Sequence, residues 1–265
     1  MERLLVLRLS VHGCCAEAML NGVSMGIAGP SGGVLCVPVH EYLLDGANEV
    51  SLIIRASAAE PAQAVRKRRA EGLTGAQLRL LLPRVGQICS ELSARTVAEL
   101  DWAVEDGAVY TVPHALSRDA VIPIKFPRWR WLDAPLIDDV EAHKPLIVEF
   151  LQSIIVDLLR GDAESFLSAS RLRLEELAVA YQQPVADLVS RLRSRLHLLY
   201  ATKALKMDIP SADDIVLRPC ANGRLIECLD KSGRSVLQTA PSGGGESSSW
   251  PIRIAAVNGR YLILR

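Results

Sequence analysis

The stretch Leu132–Asp162, LDAPLIDDVEAHKPLIVEFLQSIIVDLLRGD, changes its grammar partway along. Pro135 disfavours helix at Ala134 and interrupts a regular ladder. Asp138 and Asp139 suit the exposed N–H groups of a helix start. Beyond them Ile147, Phe150, Leu151, Ile154, Ile155, Leu158 and Leu159 recur at the helical period. Gly161 suits a stop, and Asp162 a cap on the next helix. Upstream the apolar period is two. The change predicts a boundary between Trp131 and Val140, with an all-β domain over 1–134 and an α+β domain over 135–265.

Upstream, RLLVLRLSVHG reads as a strand, and EAMLNGV runs into Asn21-Gly22, a hairpin signal because both residues accept positive φ. VLCVPVHEYL follows, then the turn LDGAN, then EVSLIIRAS with Val50, Leu52 and Ile54 on one face. The run Arg66, Lys67, Arg68, Arg69 breaks this pattern. Such a run suits phosphate or nucleic acid; between small residues in a neutral chain it reads as a solvated insert loop or short surface helix. Strands resume in LRLLLPRV and TVAELDWAV, where Ala98 and Leu100 share a face. KFPRWRWLD reads as extended, with Trp129 and Trp131 on one side and Arg128 and Arg130 on the other; such an aromatic pair can stack sugars or bases, but its plainer reading is a seal on the edge of a core.

Downstream, AESFLSASRLRLEELAVAYQQ places Phe166, Leu174, Leu177 and Tyr181 on one stripe, and Glu175-Glu176 reads as a solvated helix face. Pro184 opens a third helix with Val185, Leu188, Leu192, Leu196 and Leu199 inward. DIVLRPC, RLIECLD, SVLQTAP, WPIRIAAVN and RYLILR then read as antiparallel strands joined by Asn- and Gly-containing turns.

Two resemblances follow from these residues. Leu20, Asn21, Gly22, Leu44, Gly46, Asn48, Val50, Leu52 and Ile54 resemble the jelly-roll β-sandwich of the sugar-binding type at the front of β-galactosidases. The resemblance implies a sandwich and transfers no ligand-contacting residue. FLQSIIVDLLRGDAESFLSA and IRIAAVNGRYLIL resemble the nuclear-transport-factor-two-like, or cystatin-like, cone: three helices packed on a curved antiparallel sheet. That likeness covers Asp139 to Arg265. Dehydratases and isomerases of that family carry an Asp-His pair inside the cone. His197 lies on the third helix here, with no Asp aligned to it.

Composition bounds the function. Thirty basic and thirty acidic residues give zero formal charge, which argues against general nucleic-acid binding. No stretch approaches the ~20 apolar residues of a membrane helix. MERLLVLRL is interrupted by Arg8 and followed by no cleavage site, so the chain reads as cytoplasmic. The six cysteines form no Cys-x-x-Cys pair. Vicinal Cys14-Cys15 beside His12 suggests a metal or redox site; reduced core thiols are the plainer reading. The phosphate-loop, dinucleotide, zinc-protease and nucleophile-elbow motifs are absent, so no catalytic residue, metal or cofactor is assigned.

The leading expectation is a non-enzymatic binding or assembly protein, meeting a protein partner or self-associating through the C-terminal sheet. One alternative is a lyase- or isomerase-type enzyme holding a small apolar ligand inside the cone, with Tyr181 or His197 as polar contact. The other is a carbohydrate-binding module using Trp129 and Trp131, which requires both indoles exposed.

Overall fold

The computed structural model describes residues 4–30, 33–57, 65–84, 86, 89, 93–239 and 249–265. Among them the chain forms fourteen strands and four α-helices. It divides into two compact units, Met1–Arg128 and Trp129–Arg265.

The first unit holds β1 (Val6–His12), β2 (Cys15–Leu20), β3 (Val23–Ala28), β4 (Gly33–Pro38), β5 (Ala47–Arg55), β6 (Arg66–Arg69), β7 (Thr74–Leu82), β8 (Arg95–Val104), β9 (Val109–Val112) and β10 (His114–Val121). They build two four-stranded antiparallel sheets, ordered β4-β1-β7-β8 and β10-β5-β2-β3, and a two-stranded ladder of β6 and β9. Side-chain alternation sets one apolar face of these strands inward. Leu7 lies across from Leu80 and Leu9 from Leu78, while Ala16, Ala18 and Leu20 face Ile54, Leu52 and Val50. All of these are buried, each larger aliphatic contributing about 1.5–3 kcal/mol.

Asn21 and Gly22 take positive φ, 51° and 72°, and join β2 to β3 as a two-residue hairpin. The Asn21 amide also ties this turn to the next. Its Nδ2 donates to Asn48 Oδ1 and to the Tyr42 carbonyl, both at 2.8 Å, and its Oδ1 accepts from Glu49 N at 2.9 Å. Buried Asn48 in turn accepts from Leu44 N and donates to the carbonyls of Leu44 and Gly46. The Leu-Asn-Gly and Gly-x-Asn elements of the sequence are thus one hydrogen-bonded corner.

The second unit begins with a 3-10 turn, Arg130–Asp133, followed by α1 (Val140–Leu159), α2 (Glu164–Ala169), α3 (Arg171–Ala180) and α4 (Val185–Ala201). The sheet is the meander β11 (Ile215–Cys220), β12 (Leu225–Asp230), β13 (Arg253–Val257) and β14 (Arg260–Ile263), in that order. Asp139 caps α1, accepting from Ala142 N at 3.1 Å, and Gly161 at φ 85° ends it. Asp162 accepts from Glu164 N at 2.8 Å. One apolar cluster spans the helices and the sheet: Ile147, Leu151, Ile154 and Ile155 with Ile226, Cys228, Ile254 and Ile263.

Several sequence expectations need correction. The three expected helices are four, because the segment after Gly161 breaks at buried Ser170, which leaves helical geometry at φ −93°, ψ 2°. On α4 only Leu196 is buried; Val185 is 42% exposed, and Leu188, Leu192 and Leu199 are half-buried against the core. KFPRWRWLD is not a strand. Pro123 and Pro127 cannot donate to a ladder, and the chain enters the 3-10 turn instead. The basic run is neither loop nor helix but strand β6. Ser235–Gln238 makes only isolated bridges, Leu229 to Ser235 and Gln238 to Ser249. Parts of two expected loops, 31–32 and 240–248, lie outside the described residues.

Candidate functional site

Four consecutive cations make β6, and all four are exposed. The strand pairs with β9 in the register Arg66–Val112, Lys67–Thr111, Arg68–Tyr110 and Arg69–Val109. Among the described residues it pairs with no other strand. Alternation sets Arg66 and Arg68 on one face, Lys67 and Arg69 on the other. Arg68 Nη2 donates to the Ala56 carbonyl at 3.0 Å, and Arg69 Nε to the Gly107 carbonyl at 3.1 Å. A neutral carbonyl positions a guanidinium without cancelling its charge.

The main chain has a direction as well. Ala70 N, just past the strand, donates to the Ala108 carbonyl at 2.9 Å. Backbone groups alternate along an antiparallel ladder. Arg68 and Arg66 therefore address β9, and the N–H and C=O groups of Lys67 and Arg69 point away from it.

Around this ladder the chemistry is structural. Tyr110 packs edge-on to Trp102, centroids 5.2 Å apart, and burial pushes its hydroxyl up, with Cys14 adding to the rise. Burial also pushes the Cys14 thiol up to about 11 and the Cys15 thiol upward. Both thiols are buried, while His12 is exposed. Protonated thiols are poor nucleophiles and poor metal ligands. Among the described residues no group of three His, Cys, Asp or Glu is arranged to hold a metal.

In the second unit, Trp129 and Trp131 are only 1% and 3% exposed, so neither indole offers a face to a sugar. The Trp129 ring carries the Arg265 guanidinium, 5.5 Å from its centroid. Arg265 Nη1 donates to Glu176 Oε2 at 2.5 Å, and Arg130 N donates to Glu176 Oε1 at 2.6 Å. Glu176 is buried, correcting its reading as part of a solvated face. Glu175 does face outward, meeting Arg130 and Arg171. Adjacent helical residues stand about 100° apart, and here that step takes Glu175 to the surface and Glu176 inward to Arg265.

Tyr181 is half-buried as the residue closing α3, and His197 is exposed on α4. Neither belongs to the apolar cluster between helices and sheet. The cluster itself is built mainly of Ile and Leu side chains. A different pair does meet: His143 Nδ1 and Tyr261 Oη lie 2.6 Å apart, both half-buried. Burial raises the Tyr261 hydroxyl, which keeps its proton on the oxygen. Sequence reasoning missed this pair because its members are far apart in the chain.

The remaining buried charges are committed to one another. Arg55 Nη1 meets Glu17 Oε2 at 2.5 Å. Glu227 receives Arg253 at 2.8 Å on one oxygen and Arg218 at 2.5 Å on the other. Each pair ties neighbouring strands together: β2 to β5 through Glu17, and β12 to β11 and β13 through Glu227.

No family model matches the chain, and neither a curated protein nor a solved structure matches it.

Proposed function

We propose that the protein is a non-enzymatic binding or assembly protein that meets a protein partner through the surface of its first unit. The observation that carries this reading is β6: four exposed cations in a row, on a strand whose outer edge pairs with no other described strand. Exposed charge on regular backbone, rather than on a loop, presents a fixed pattern to a partner. The committed state of Glu17, Glu176 and Glu227 supports the same reading. In it the two units are separately folding domains, a β-sandwich and a cone-like α+β domain.

The test has two parts. Size-exclusion chromatography with light scattering reports the mass of the full chain in solution. The immobilised chain is then challenged with a lysate of its source cells, beside a variant in which Arg66, Lys67, Arg68 and Arg69 are all serine. The reading expects at least one protein retained by the parent and lost by the variant. A strict monomer that retains nothing overturns it.

A further inference from the structure

We infer that the outer edge of β6 takes up an extended acidic peptide as a third strand beside β9. This rests on the reading of the chain as a binding protein and names the chemistry of its partner. Two features of one strand converge on it. The main-chain groups of Lys67 and Arg69 point away from β9, and the strand is exposed along its whole length. An added strand would lie about 4.8 Å away and exchange hydrogen bonds with those two residues. The side chains then choose the partner. A peptide with carboxylates at alternate positions sets them across from Lys67 and Arg69, the two residues whose main chain it also meets. Opposite charges directly across a ladder are favourable and like charges are not.

That rule also removes the simplest competitor. A second copy of β6 would set cation against cation. Basic residues commonly guard an exposed edge against identical edges; the same repulsion leaves an anionic strand as the complementary occupant. Nucleic acid fits less well, since four cations span only about 13 Å of strand in a chain of zero formal charge. It also has no use for the outward carbonyls. The carboxylates of Glu71 and Asp106 lie past Ala70, where Asp106 accepts from Gly72 N at 2.7 Å. They confine the acidic peptide to the span of Arg66–Arg69.

The experiment uses the full chain and fluorescence anisotropy with a labelled peptide of alternating glutamate and valine. A lysine–valine peptide and an oligothymidylate serve as competitors. Two further glutamate–valine peptides carry N-methyl groups on one or the other alternate set of amides. Only one set can face β6, so one methylated peptide should lose binding about tenfold or more and the other keep it. Lys67→Pro, which removes an outward N–H that an edge can spare, should weaken the parent peptide by a similar factor. Lys67→Glu with Arg69→Glu should do so without touching the backbone. Equal binding by both methylated peptides overturns strand addition, and does so with the protein unaltered. Oligothymidylate binding more tightly than the peptide overturns the peptide class. Absence of peptide binding, where the lysate experiment still retains a partner, overturns this inference alone. Absence of both overturns the reading beneath it.

Discussion

Arg265 and Glu176 lie 89 positions apart in the chain, yet their side chains meet at 2.5 Å, with Trp129 stacked beneath the guanidinium. The contact joins the chain after β14, helix α3 and the 3-10 turn at the start of the second unit. Both side chains are almost wholly buried, so neither charge has water to fall back on. Arg265→Ala should therefore cost about 3–5 kcal/mol, since it strands a buried carboxylate. The double change Glu176→Leu, Arg265→Met should cost less than either single charge removal. Urea midpoints at neutral pH measure both; equal midpoints for parent and Arg265→Ala would show the pair to be inconsequential.

A fragment beginning at Trp129 should fold alone, with a cooperative melt and mixed α/β circular dichroism. One beginning at Pro135 lacks Trp129 and Trp131, both buried in this unit. Losing a large buried aromatic costs about 3–5 kcal/mol, so the shorter fragment should melt broadly or not at all. Equal cooperativity in the two fragments would detach the indoles from the core of the second unit.

Gly161 closes α1 at φ 85°, and a Cβ built there would lie 2.7 Å from the Tyr200 ring. Gly161→Ala should destabilise by about 1–2 kcal/mol from backbone strain alone, and further from the ring. Pairing it with Tyr200→Ala relieves the steric part only. The double-mutant cycle in urea should therefore show favourable coupling; strict additivity would mean the ring simply moves aside.

The thiols give a pH signature. Burial pushes Cys14 up to about 11 and Cys220 up to about 12, from an ordinary value of 9.0. Between those values the unfolded chain has released a proton that the folded chain still holds, so stability falls as pH rises from 9 toward 12. Cys220→Ala should flatten that fall in a urea series. At pH 8 a disulfide reagent should titrate exposed Cys36 quickly and leave Cys14, Cys220 and Cys228 until denaturant is added. Rapid labelling of Cys228 in the native protein would contradict its full burial.

Much of the scaffold is legible in the residues because the periodicity is coupled to burial. Helix α1 shows its cap, its stripe and its stop, and β5 shows Val50, Leu52 and Ile54 facing inward. β6 and β10 were not legible. Their side chains are mostly exposed, so no apolar period marks them, and they are strands only because their backbones find β9 and β5. The tryptophans are buried, as their plainer reading has it, but the extended conformation read for them fails for a related reason. Spacing of two implies a shared face only if the chain is extended, and prolines on both sides of Lys125-Phe126 lead it into a 3-10 turn. The candidate docking run itself stood out as charge, while its geometry depended on a partner strand some forty positions away.

The Asn21 corner sets a chemical clock. Asn-Gly is the dipeptide most prone to deamidation, and here its amide nitrogen donates to two acceptors, Asn48 Oδ1 and the Tyr42 carbonyl. Conversion to aspartate would place a third acceptor against those two and add a charge to a partly buried corner. The folded chain therefore resists ageing at this site for as long as the corner stays closed. The same conversion, once made in an unfolded molecule, would oppose the corner's return, so the conformational history of a sample becomes written into its covalent structure at one residue.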